Sequence, residues 1–309
     1  MLNRFLSFSL VGAGLIGSLA GQGAPRPSDE TFQLGLVLKS AREYCRRLER
    51  AALDFVCLEE ISESVNLSRD GRGGAPATVA PEGSENSGTG SQGGHTSTSR
   101  PGTALRFNTG PGAKVSNTYV NDYQFIRRDG KVEEKRVLIE KNGKKANAKT
   151  PRPAMMAFNF ADILLGPVQL LDERNQEFYA YRLAGKDTVD GHDCWILEVT
   201  PRFTGVTRYL GGKIWLGADD SSVVRIEWDP TTFGRYEDIL AVAERYKSTP
   251  EVRSYSEFGV EKNGLRFPSE DLTEEAYRGA DGQLFVRSKT SIVYRGHKFF
   301  TVETQTIFK

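Results

Sequence analysis

Five Asp-Gly or Asn-Gly pairs beyond residue 104 constrain the fold of this chain more than any other feature: Asp129-Gly130, Asn142-Gly143, Asp190-Gly191, Asn263-Gly264 and Asp281-Gly282. Such pairs adopt the positive φ angles of tight hairpin turns, and each lies between runs rich in β-branched and aromatic residues. Successive hairpins mean antiparallel pairing. The pattern predicts strands over Asn117–Arg128, Val132–Lys141, Glu177–Gly185, Asp193–Pro201, Gly212–Leu216, Ser222–Asp229, Glu251–Lys262, Leu265–Arg278, Leu284–Arg295 and Lys298–Phe308, with one more from Phe55 to about Leu67. That makes about eleven strands. Alternation gives many of them one covered face: Trp195, Leu197 and Val199 share a side, as do Val224, Ile226 and Trp228, and Leu284, Val286, Ile292 and Tyr294. In Lys298–Phe308, Phe300, Val302 and Phe308 share their side with Thr304 and Thr306, a half-apolar face that suggests a sheet its own core does not fill.

Three helical segments accompany the strands. Ser28 can cap a helix to about Leu53, in which Leu34, Val37, Leu38, Ala41, Cys45, Leu48 and Ala52 recur at i+3/i+4 spacing. Lys39, Arg42, Arg46, Arg47 and Arg50 occupy much of its other surface, interleaved with Glu43 and Glu49. That surface reads either as a solvated face or as one that meets a membrane. Ala154–Leu171 is unusually apolar, with Met155, Met156, Phe158, Phe160, Ile163 and Leu164, and Gly166-Pro167 should break or kink it. It either packs on the sheet as core or closes an apolar cavity, a task that adaptable methionine side chains suit. Thr231–Lys247 is more polar and reads as a short helix or ordered loop. The segment 68–104 differs from all of these. Of its 37 residues 23 are Gly, Pro, Ser or Thr and its only large aliphatic is Val79, so burial cannot offset its ordering entropy and a disordered insertion is expected.

The first twenty residues carry an export signature. Arg4 precedes an uncharged apolar stretch from Phe5 to Ala20, Ser18 and Ala20 supply small residues for cleavage, and Pro25-Arg26-Pro27 stops a helix soon afterwards. Residues 1–20 are therefore read as a cleaved secretory signal and the mature chain as exported and periplasmic. Crossing a bilayer takes about 20 apolar residues, so no stable membrane span is expected after cleavage. Gly12-Ala13-Gly14-Leu15-Ile16-Gly17 fits the dinucleotide-binding spacing, but Gly21, Gly23 and Pro25 leave no helix behind it. Export also permits disulfides. Cys45 and Cys57 are bridged if the first helix packs back on the following strand, and are otherwise two separate buried thiols; Cys194 reads as a small core residue beside Trp195.

Composition excludes several functions. Lys+Arg 41 against Asp+Glu 40 gives a net charge of +1, too little for binding to a nucleic-acid backbone. Three histidines and three cysteines supply almost no ligands for a metal centre. His192 and His297 each follow a glycine and read as exposed turn residues, while His95 sits in the insertion. Asp219-Asp220 and Glu274-Glu275 are adjacent, so their side chains diverge and form no acid/base dyad. No catalytic residue, metal or cofactor is assigned, although carboxylates distant in sequence could still assemble a hydrolase site.

The run from Tyr181 to Pro201, with its Thr188-Val189-Asp190-Gly191 turn, is followed by Gly212-Lys213-Ile214-Trp215-Leu216 and Val223-Val224-Arg225-Ile226-Glu227. Asn263-Gly264-Leu265-Arg266-Phe267-Pro268 and Tyr294-Arg295-Gly296-His297-Lys298-Phe299 come later. In order and spacing these pieces resemble the LolA-like periplasmic lipoprotein-carrier superfamily, in its outer-membrane-sorting-like branch. The resemblance covers 172–309 in its motifs and 28–171 in element order. It implies an α+β fold of one domain over 21–309: a large curved antiparallel sheet, an unclosed half-barrel, with helices packed on a concave face that receives acyl chains. The insertion and the length depart from carriers of that type. Met156, Phe160, Ile163, Leu164, Trp195, Trp215 and Trp228 are the expected cavity lining, and the expected partner is a lipid or lipoprotein acyl chain. An envelope protein partner recruited by a module with a filled cavity is the alternative.

Overall fold

The computed structural model describes residues 27–70, 112–128, 131–147, 163–203, 209–233 and 236–300. The expected signal segment, most of the expected 68–104 insertion, Met156 and Phe160 lie outside them.

Helix α1 (Pro27–Ala51) leads into β1 (Phe55–Asn66), β2 (Lys114–Arg128), β3 (Lys131–Lys141) and the short β4 (Lys144–Lys145). A short helix α2 (Gly166–Leu171) precedes β5 (Tyr179–Val189), β6 (His192–Pro201), β7 (Gly212–Gly217) and β8 (Val223–Trp228). Helix α3 (Tyr236–Tyr246) is followed by β9 (Ser248–Glu257), β10 (Val260–Lys262), β11 (Leu265–Phe267), β12 (Glu270–Gly279) and β13 (Leu284–Phe299). Eleven of these strands form one sheet in the order β4-β3-β2-β1-β13-β12-β9-β8-β7-β6-β5, with antiparallel neighbours throughout. It is the expected α+β architecture, a sheet that does not close. The turn chemistry is as the dipeptides require: Asn142-Gly143, Asp190-Gly191 and Asn263-Gly264 have positive φ at both residues.

The core lies where α1 meets the sheet. Val37, Ala41, Tyr44, Cys45 and Leu48 recur at three and four residues along one side of α1 and are buried against Phe55, Ile61, Leu197, Ile214, Ile226, Phe258 and Ile292. Helix α2 joins this core through Val168, Leu170 and Leu171. It starts at Gly166-Pro167, the pair expected to break a helix. A β-carbon at Gly166 would lie 3.3 Å from the Trp228 ring, so glycine lets the helix start against the indole.

Three sequence expectations are corrected. Glu251–Lys262 and Leu265–Arg278 are not continuous strands: the chain leaves the sheet at Phe258-Gly259 and rejoins it after Pro268, which has no N–H to give a ladder. Between these points β10 and β11 form a separate hairpin that folds onto α1. There the Tyr44 hydroxyl accepts from the Arg266 backbone N–H at 3.2 Å, and Phe267 packs on Phe55. Second, Arg295-Gly296 is no turn. Gly296, at φ 63°, sits in a bulge where Val56 pairs with Lys298 but Leu58 with Arg295, and one strand runs from Leu284 to Phe299. Third, a register shift between Trp215 and Leu216 puts Val223 rather than Val224 with Ile226 and Trp228 in the main core.

Leu48 is fully buried at the middle of this interface. Leu48→Ala should cost about 2–5 kcal/mol in urea unfolding, the range for a buried leucine whose site cannot collapse. A loss below about 1 kcal/mol would mean that the underside of α1 is not packed.

Candidate functional site

The alternation of β1 puts Phe55, Cys57, Glu59, Ile61, Glu63 and Val65 on one face, all buried. Two carboxylates thus stand in core positions. Glu59 is completely buried and matched by hydrogen bonds: Arg136 Nε donates to its two oxygens at 3.0 and 2.9 Å, Asn121 Nδ2 at 3.0 Å and the Tyr294 hydroxyl at 3.2 Å. Arg136 also donates to Glu134 at 2.5 Å, and Tyr123 to Glu134 at 2.6 Å. Burial by itself would lower the Arg136 pKa, but Glu134 and Glu59 outweigh it and hold the guanidinium well above its ordinary value. A buried charge is tolerable only when paired and hydrogen-bonded in this way.

The same face continues the polar line on its far side. Trp228 Nε1 donates to Ser256 Oγ at 2.9 Å, and Ser256 donates to Asp271 Oδ2 at 2.6 Å. Asp271 differs from Glu59 in having no cation paired with it among the described residues. Its Oδ1 is buried without a hydrogen-bond partner, and burial pushes its pKa up to about 7, against the Ser256 hydrogen bond and with help from Glu59 and Glu270. These residues form a polar belt across seven neighbouring strands, from Arg136 on β3 to Trp228 on β8, interrupted between Tyr294 and Asp271.

A second buried network stands at the other end of the face. Arg287 donates to Asp70 at 2.8 Å and to Glu275 at 3.1 Å, Ser288 donates to Glu275 at 3.1 Å, and Tyr277 and Tyr246 donate to Glu275 and Asp70. It fixes the chain at Asp70, the last described residue before Gly112. Leu67 pairs there with Gly112 and Ala113 at 3.0 and 2.8 Å.

The expected cavity residues that the structure describes do not all lie on one face of the sheet. Ile163, Leu164 and Trp228 are buried together in the core with α1 and α2, and Trp195 packs against that core while Lys186 lies over its ring. Trp215 is on the opposite face, in a small cluster with Cys194 and Val224, its Nε1 donating to Asp187 at 3.0 Å. Adjacent strand residues point to opposite sides, and the register puts Trp215 opposite Ile196 rather than Trp195. Met156 and Phe160 lie outside the described residues. Among the described residues two clefts stand out, and both are open and partly polar. One, of about 580 Å³, is lined by Leu36, Lys39, Arg42, Arg46 and Glu173; the other, of about 250 Å³, by Ser64, Lys114, Val286 and Arg287.

Cys45 and Cys57 do not form a disulfide. Cys45 faces α2, 3.5 Å from the Pro167 carbonyl, while Cys57 lies across from Tyr123, so the two thiols serve different contacts. Burial pushes the Cys57 thiol up to about 12 and the Cys45 thiol higher still, which makes both poor nucleophiles. His192 is exposed, with Arg266 Nη2 3.1 Å from its ring. His297, expected in an exposed turn, is half-buried and stacked with Phe55 and Phe299, and burial lowers its pKa against a hydrogen bond to the Pro268 backbone. Among the described residues no group of three His, Cys, Asp or Glu is placed to hold a metal, and no helix is long and apolar enough to cross a membrane.

No family model matches the sequence, and no curated protein matches it. Solved structures do show likeness. A DUF1329 family protein from Desulfovibrio piger is 14% identical, with 85% of this chain and 92% of that chain covered and a TM-score of 0.38. A LolA superfamily protein from Nitrosomonas europaea is 11% identical, with 87% and 94% covered and a TM-score of 0.29. A putative outer membrane lipoprotein-sorting protein domain from Vibrio parahaemolyticus is 8% identical, with 87% and 94% covered and a TM-score of 0.38. At such identities and scores no family, residue role or activity passes from them to this chain.

Asp271 makes a pH dependence. The folded chain keeps this proton up to about pH 7, while the unfolded chain releases it near its ordinary value of 3.8. Between those values the folded state binds the extra proton, so this group makes stability fall as pH rises, with no further loss above about pH 7. Asp271→Asn should remove that part of the slope in urea midpoints measured from pH 4 to 8, and at pH 8 should be the more stable form by roughly 2–4 kcal/mol. Parallel pH profiles for the two chains would show that Asp271 is not held protonated.

Proposed function

We propose that this chain is an exported, non-enzymatic periplasmic protein of the LolA-like type whose half-barrel is filled by its own residues and serves as a binding module for an envelope protein partner. One observation carries the reading. The side chains expected to line an acyl cavity and placed on the core face, Ile163, Leu164 and Trp228, are 3%, 0% and 5% exposed and interlock with α1 and α2. A bound acyl chain gains about 0.8 kcal/mol per methylene only where apolar space is open to it. Here α1, α2 and the β10–β11 hairpin occupy the face that a carrier would offer to lipid. A partner protein, by contrast, needs only a rigid surface, and the core supplies the rigidity.

The signal-like residues 1–20 support export, and near-equal numbers of acidic and basic residues are in keeping with a protein rather than a nucleic-acid partner. Titration of the purified chain with a fluorescent fatty acid, alongside mass spectrometry of its organic extract, separates this reading from lipid carriage. The expected result is no saturable binding and no co-purified lipid. One displaceable acyl chain per protein would overturn the filled-module reading in favour of a carrier.

A further inference from the structure

The outer side of α1 is the surface that the core does not explain. From Phe32 to Arg50 its exposed residues are Phe32, Gly35, Leu36, Lys39, Ser40, Glu43, Arg46, Arg47 and Arg50. At 3.6 residues per turn Phe32, Leu36, Lys39, Glu43, Arg46, Arg47 and Arg50 fall within about 100° of arc and extend over about 27 Å. They are the outward counterpart of the buried stripe. Phe32 is 68% exposed and Leu36 45%, one turn apart at the amino end, so two large apolar side chains stand together in solvent. Beyond them the stripe is basic. Lys39, Arg46, Arg47 and Arg50 face solvent with a single carboxylate among them, Glu43, which lies 3.4 Å from Arg46. Beside the stripe, Glu173 from the turn after α2 binds Arg42 and Arg46 at 2.9 Å and leaves Lys39, Arg47 and Arg50 without an ion pair among the contacts described.

We propose that this stripe docks α1 flat on an anionic bilayer surface, with Phe32 and Leu36 entering the headgroup region and Lys39, Arg47 and Arg50 facing lipid phosphates. An interfacial helix needs an apolar part that enters the boundary and cations that meet the headgroups, and α1 presents both on one line. Charge complementarity selects the occupant: the chain as a whole is nearly neutral, yet this one line carries a concentrated positive excess. Each cation near an anionic surface adds to the attraction, which decays within a Debye length and so weakens in salt. The underside of α1 stays in the core throughout, so docking requires no opening of the fold. It is also independent of whether the interior carries cargo.

The test is co-sedimentation of the purified full chain with vesicles of phosphatidylcholine alone and of phosphatidylcholine mixed with phosphatidylglycerol, at low and high salt. Binding should appear with phosphatidylglycerol and fall about tenfold or more as salt is raised. The pair Lys39→Glu and Arg50→Glu should weaken it by a similar factor, and Phe32→Ser with Leu36→Ser should weaken it further at high salt. All four positions are exposed, and circular dichroism of each variant confirms that the fold is kept. Equal binding to both vesicle types, or binding that the variants leave unchanged, would overturn the proposal; the second result would assign attachment to another part of the chain. Salt-sensitive capture of an acidic protein without any lipid binding would overturn it in favour of a protein partner.

Discussion

An antiparallel sheet of eleven strands that does not close has one face it must cover, and α1 is what covers it. The helix supplies its own apolar side chains to the sheet's interior instead of leaving the strands to meet across a barrel. Tyr44 illustrates the dependence. Its ring is fully buried and its hydroxyl holds both the N–H and the carbonyl of Arg266, so the β10–β11 hairpin is anchored to the helix. Phe267, Phe55 and Phe299 then pack around the anchor. Without the helix the hairpin would have nothing to fold onto and Phe258, Ile292 and Leu197 would face water.

The polar belt is the complement of this apolar cover. Glu59, Tyr294, Asp271 and Ser256 occupy positions that alternation reserves for the core, and their hydrogen bonds run across strands rather than along them. Cross-strand bonds of this kind fix register, because a slip of one residue would take each buried polar group away from its partner. The belt also marks two different solutions to burial of an acid. Glu59 stays matched to a guanidinium, while Asp271 relies on retaining its proton.

Much of the fold was legible from short-range chemistry. The Asp-Gly and Asn-Gly pairs located the hairpins because positive φ is costly for most other residues, and the spacing of Val37, Ala41, Leu48 and Ala52 located the core side of α1. What escaped was set by contacts distant in sequence. Nothing local shows that Glu251–Lys262 divides, because the division answers to Tyr44 and Phe55, some two hundred residues away. Trp215 was misassigned because which face a tryptophan takes on one strand relative to Trp195 on the next is a matter of register, and register is not written in either strand alone. Glu59 could have been found. It shares the parity of Phe55, Cys57, Ile61 and Val65, and a charged residue in an otherwise apolar set of positions is itself a sign of a buried partner. Asp271 gave no such sign, since both faces of β12 are buried and the alternation is lost.

The paired backbone at Leu67, Gly112 and Ala113 has a consequence for the length of chain between them. Because the two ends of the intervening stretch are clasped by the sheet itself, lengthening it adds only a slowly growing closure entropy, about 0.6 kcal/mol for each doubling. As far as closing the loop is concerned, a change of length between positions 71 and 111 therefore costs the clasp little. The pairing of Leu67 with Gly112 and Ala113 makes the sheet, rather than the length of chain between them, what holds the two ends together.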